Sequence, residues 1–121
     1  MEFPPLSREM TPVLMERQLL LVSNNERRPI TVRIGIPVQD VETVGGLNWR
    51  CPVEFVGLST RPFPAVGVDA VQAVAHALFA ARVEADAYER EKGGHFLWLD
   101  EPGHGLPAVD LGTPSRGLTS A

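Results

Sequence analysis

Four kinds of side chain in this sequence have the chemistry for catalysis or metal binding. They are the single thiol of Cys51, the imidazoles of His76, His95 and His104, and the carboxylates of Asp100 and Glu101 beside His104. A nucleophilic thiol needs a depressed pKa and a base within reach. His76 and His95 are the available bases, and they serve only if the fold brings them to Cys51. Cys51 stands between Trp49 and Val53 at an inward strand position, where free cysteine acts as a small hydrophobe; core packing is its expected role. The stretch Asp100-Glu101-Pro102-Gly103-His104-Gly105, with His95 upstream, joins imidazole to carboxylate as a divalent metal site would. It has no established ligand spacing such as H-E-x-x-H or paired C-x-x-C, so a solvated loop is expected, with no metal and no cofactor. His76 falls beside the apolar stripe of a helix, and a boundary role suits it. Gly45-Gly46 and Gly93-Gly94 lack the following Lys-Ser/Thr of a phosphate-binding loop.

Those residues sit in a chain of 121, the length of one domain, that is 44% hydrophobic and 21% charged. A chain of this size buries enough surface to fold without a disulfide or metal staple. The formal net charge of −4 argues against a general nucleic-acid binder, which gains affinity by neutralising phosphates. One cysteine forms no internal disulfide, which suits a reducing cytoplasm. The sequence contains neither a bilayer-spanning apolar run nor a signal-peptide pattern, so a cytoplasmic location is expected.

Residues 1–13 carry Pro4, Pro5 and Pro12 without periodicity and read as a flexible arm. The domain is expected over 14–100, with a Pro/Gly-rich tail over 101–121. Within it, Leu14–Val22 is a strand candidate with an ambiguous buried face. Ile30, Val32, Ile34 and Ile36 alternate with Thr31 and Arg33, as on a half-buried strand. The polar stretch from Ser23 to Arg28 joins the two as a hairpin with a longer loop. Gln39–Asn48 reads as loop. Trp49–Leu58 is a third strand in which Pro52 demands a bulge or an edge. Ser59–Val66 reads as loop, and His95–Leu99 as a short buried strand.

One helix organises the rest. Asp69 is placed to cap it, and Gln72 to reach back to the Asp69 N–H and complete a capping box. Gly93 supplies the stop. Val71, Val74, Ala75, Leu78 and Phe79 recur at i, i+3, i+4, i+7 and i+8 and are expected to be the buried face, each large member contributing roughly 1.5–3 kcal/mol. Ala73, Ala77, Ala80 and Ala81 form a second, small-residue line that raises helix propensity or admits a close partner. The order β-β-β-α-β predicts an α+β fold, an antiparallel sheet with one long helix on one face.

The motifs W-x-C-P-V (Trp49, Cys51, Pro52, Val53) and G-V-D-x-x-Q-A (Gly67, Val68, Asp69, Gln72, Ala73) carry a resemblance. With Val32-Arg33-Ile34-Gly35 and Trp98-Leu99, the chain from about Leu14 to Asp100 resembles an uncharacterised family of small bacterial proteins, a domain of unknown function. The resemblance implies a bacterial origin and one compact domain, and brings no activity, cofactor or catalytic residue.

These features favour a non-enzymatic protein-binding module over an enzyme, and an immunity- or antitoxin-like inhibitor within that class. A small acidic protein neutralises a basic partner by charge complementarity. The expected contact residues are Arg33, Arg50 and Glu54 on the sheet face away from the helix. Asp69 and Gln72 serve as the structural cap. The alternatives are a small enzyme using Cys51 or a metal-binding Asp100/Glu101/His104 loop, and a homo-oligomeric structural protein. The partner is expected to be a protein or a second copy of the chain, not a membrane or a nucleic acid.

Overall fold

The structure, a computed structural model, describes residues 3–108. The elements are β1 (Val13–Ser23), β2 (Glu26–Gly35), β3 (Val38–Thr43), β4 (Gly46–Val56), β5 (Phe63–Gly67), α1 (Ala70–Lys92), β6 (His95–Trp98) and β7 (Glu101–Pro102). All named strands pair antiparallel in one seven-stranded sheet, with α1 on one face. The α+β architecture is therefore the one the sequence predicts, with three more strands. β3 was expected to be loop because Gln39, Asp40 and Glu42 hide its alternation; pairing with β4 makes it a strand. β5 contains Pro64, which suits an outer strand.

Arg50 pairs with Val38 on β3 and with Val66 on β5, and Val53 with Ile34 on β2 and Phe63 on β5. A strand has two edges, so β2 and β3 share one edge of β4 and β5 takes the other. Gly35-Ile36-Pro37 breaks β2 from β3 opposite Cys51 and Pro52, which meets the demand that Pro52 placed on its neighbours. Gly35 is needed there, because a Cβ would meet the Thr11 hydroxyl and stand 2.8 Å from the Pro52 ring.

The β1–β2 connection is tighter than the expected longer loop. Ser23 pairs with Glu26 across Asn24-Asn25, which have φ of 52° and 65°. That is a two-residue turn of the kind that matches the twist of antiparallel strands, and asparagine tolerates the left-handed region. Leu99 and Asp100, at φ 54° and 64°, repeat it between β6 and β7.

The helix cap is as expected at Asp69, whose Oδ1 accepts from the Gln72 N–H at 2.8 Å. Gln72 differs: its Oε1 accepts from the Val68 N–H at 2.8 Å, one residue earlier than a capping box. Gly93 (φ 78°) closes the helix. The buried face is a correction. Ala73, Ala77, Ala81 and Ala85 point into the core; of the expected face Val74 and Leu78 pack against the core's margin, while Val71 is 78% exposed and Phe79 40%. Alanines at i, i+4 spacing let the helix lie close on β5 and β4, where it makes most of its contacts. A Cβ on Gly67 would run into the backbone of Ala73. The large core side chains come from the sheet instead: Leu19, Leu21, Ile30, Val32, Ile34, Val53, Phe55 and Phe96.

Segments on both sides of 14–100 also pack. The Thr11 hydroxyl donates to the Ile36 carbonyl at 2.7 Å, and the Glu9 carbonyl accepts from Arg50 at 2.6 Å. Of the expected tail, residues 109–121 lie outside the described residues.

Candidate functional site

Because α1 sits over β5 and β4, it leaves the β1 end of the inner sheet face to be closed by other groups. Residues 103–108 do part of this. After β7 the chain turns under β6, with Gly105 against the Trp98 ring, where a side chain would collide. Arg17, on β1, lies over the same ring at 3.7 Å from its centroid and donates to the carbonyls of Gly105 and His104. A cation held over an indole contributes about 0.5–1 kcal/mol at an exposed site.

What remains between α1 and this segment is a groove of about 340 Å3. Val32 and Ile34 form its floor; Leu78 walls one side, and Leu106 and Pro107 the other. Met15, Glu16 and Arg17 line its rim. The lining is mostly apolar, and the charges at the rim are already engaged. Glu16 accepts from Arg33 at 3.1 Å, and Arg17 is held as described. Val71, Phe79 and Val83 are also exposed on α1: Val71 lies two turns before Leu78 on the same side, and Phe79 and Val83, four apart, lie on the face turned away from the sheet.

The titratable residues are arranged differently from the sequence expectation. Asp100 and Glu101 are exposed on the β6–β7 hairpin, and His95 is exposed at the start of β6. His104 turns inward, is buried, and meets two carboxylates of α1 instead. Its Nε2 is 2.6 Å from Asp86 Oδ1, and Asp86, Glu89 and His104 offer ligand atoms within 4.8 Å of one another. The Leu106 N–H donates to His104 Nδ1 at 3.0 Å, so Nδ1 is the unprotonated nitrogen and Nε2–H donates to Asp86. Glu89 Oε2 accepts from the Phe96 N–H at 2.8 Å. A metal at Nε2 would need the proton on Nδ1, against the Leu106 N–H. The cluster therefore acts as a clamp between α1, β6 and the 103–108 segment.

Cys51 is fully buried on β4. Its S–H donates to the Gly35 carbonyl at 3.2 Å, beside the β2–β3 break, and burial pushes the thiol up to about 11. A protonated thiol shut off from solvent is a poor nucleophile. His76 is also occupied, with Nδ1 2.6 Å from the Val66 carbonyl.

Arg33, Arg50 and Glu54 do lie on the sheet face away from α1, and two of them meet. Arg33 pairs with Glu16 and approaches Glu54 at 4.0 Å across β2 and β4. Arg50 is apart from them and only 4% exposed. Its guanidinium grips Asp40 at 2.9 Å and the Glu9 carbonyl. It ties β3 and the N-terminal segment to the sheet and presents no charge to a partner. The groove itself escaped sequence reasoning, since its lining comes from β1, β2, α1 and residues 106–107. Only the i, i+3 placement of Asp86 and Glu89 on one helix face was visible beforehand.

The fold and these contacts define, among the described residues, a domain of one helix on a seven-stranded antiparallel sheet, with an apolar groove. Among the described residues, no helix is long and apolar enough to cross a membrane. The chain belongs to the family described as Domain of unknown function (DUF6968), whose family model matches residues 15–108. No curated protein and no solved structure matches it.

Proposed function

We propose that this chain is a non-enzymatic protein-binding module whose docking surface is the groove and the adjoining outer stripe of α1. The observation that carries this reading is the exposure of Val71, Phe79 and Val83 on α1, three large apolar residues that the core does not use. Apolar surface gathered on one element marks an interaction site more often than scattered residues do. The net charge of −4 favours a basic protein as partner, steered by charge complementarity and seated by apolar contact. An immunity- or antitoxin-like inhibitor in a bacterial cytoplasm is the specific form of this reading.

The test is recovery of partners from the native host by wild type and by the Val71→Glu/Phe79→Glu variant. A basic protein that binds wild type, loses the variant and weakens with salt supports the proposal. Recovery of no protein above background, or equal recovery by both forms, overturns it.

A separate observation favours self-association as a second reading. β1 pairs with β6 only over Leu20–Val22, so one edge of Val13–Leu19 has no strand partner among the described residues. Exposed apolar edges template pairing with another chain. A mass of one chain by light scattering across a wide concentration range would end this reading.

A further inference from the structure

We infer that His104 is a proton-operated latch on the groove wall: protonation of its ring at Nδ1 releases Leu106 while the ring stays docked on α1. The two ring nitrogens have opposite duties. Nε2–H faces Asp86 Oδ1 at 2.6 Å, and unprotonated Nδ1 accepts the Leu106 N–H at 3.0 Å. Adding one proton to Nδ1 turns that acceptor into a donor, so two N–H groups then face each other. The bond to Leu106 is lost and replaced by repulsion. The bond to Asp86 gains charge and tightens, because hydrogen bonds between ionised partners are stronger.

The surrounding charges direct the change to Leu106. From α1, Asp86 and Glu89 face the ring, with Arg82 behind Asp86 at 3.7 Å. From β1, Arg17 holds the carbonyls of His104 and Gly105 and does not face the ring nitrogens. From β6, Phe96 presents its ring at 6.5 Å and adds no charge. The carboxylates retain an imidazolium, and Arg17 keeps Gly105 in place. Movement therefore begins at Leu106, which with Pro107 walls the groove. A partner would find the groove wider below the His104 titration than above it. That consequence rests on the docking surface proposed above, but the latch does not.

The test uses the full chain without any partner. The His104 ring is followed by its own carbon-bound proton resonance through a pH titration. Exchange of the Leu106 amide is followed in parallel and corrected for the intrinsic pH dependence of exchange. The expected result is a loss of about tenfold in Leu106 protection across the His104 transition, the size of one hydrogen bond, with no loss in His104→Asn. Unchanged protection through the transition overturns the latch, and so does an equal loss in His104→Asn. Should that variant not fold, Gly103 decides, because its amide donates to the Phe96 carbonyl at 2.8 Å, independently of the ring. Release of Leu106 alone supports the latch, and loss of protection at both amides overturns it. Failure of partner capture leaves this result unaffected, so the two proposals fail separately.

Discussion

His104 Nε2 lies 2.6 Å from Asp86 Oδ1, a side-chain bond that ties the segment after β7 to α1. The His104 ring is buried, whereas the Asp86 carboxylate remains nearly half exposed to water. Replacing His104 by alanine should destabilise the domain by about 1–2 kcal/mol, from the lost bonds to Asp86 and the Leu106 N–H. Urea denaturation of wild type and His104→Ala would measure it.

The helix has two apolar faces with opposite fates. Ala77→Leu should cost roughly 1–3 kcal/mol by overpacking the contact with the sheet. Val71→Ser, on the larger but exposed stripe, should stay within about 0.5 kcal/mol of wild type. Urea midpoints of the two variants decide it, and a large loss at Val71 would place that stripe in the core.

Cys51 makes stability depend on alkaline pH. The folded thiol is raised to about 11 from an ordinary value of 9.0. The unfolded thiol therefore ionises first, and the unfolded chain binds fewer protons between those values. Stability from this group is complete below about pH 9 and falls as pH rises toward 11, by at most about 3 kcal/mol. The stability difference between wild type and Cys51→Ala should change over that window and be flat below it. A thiol reagent should label Cys51 only on unfolding.

Arg50 and Asp40 hold β3 and the N-terminal segment to β4. Asp40→Asn leaves a buried guanidinium without its counter-charge and should cost about 1–3 kcal/mol. Arg50→Lys should not restore wild-type stability, because an ammonium cannot make the forked contact to both carboxylate oxygens. Thermal unfolding of both variants would show it.

At the helix start, Asp69→Ala should cost about 0.5–2 kcal/mol by freeing the Gln72 N–H. Partner binding at saturating concentration should fall far less than in Val71→Glu/Phe79→Glu, since Asp69 caps the helix and is neither a groove-lining residue nor one of the exposed apolar residues. Denaturation and binding measured on one preparation separate the two effects.

Much of the local structure was legible in the residues themselves. The alternation of Ile30, Val32 and Ile34 gave one strand its buried face, and Asp69 and Gly93 bounded the helix, because caps and strand periodicity act over a few neighbouring residues. The inward place of Cys51 followed from the same alternation. What tertiary structure decided was which apolar face of the helix met the sheet. Both the alanine line and the valine–leucine–phenylalanine stripe satisfy helical spacing, and only the depth available above β4 and β5 selects the smaller one. The same holds for the candidate site. Sequence proximity groups His104 with Asp100 and Glu101, yet the tight turn at Leu99-Asp100 and the fold-back at Gly105 carry it to Asp86 and Glu89. Sequence by itself determined the helix with its bounds at Asp69 and Gly93, and the strands whose alternation is clear; β3, β5 and β7 exist only through their pairing. Long-range packing, which depends on volumes contributed from several strands at once, determined the groove and the clamp beside it.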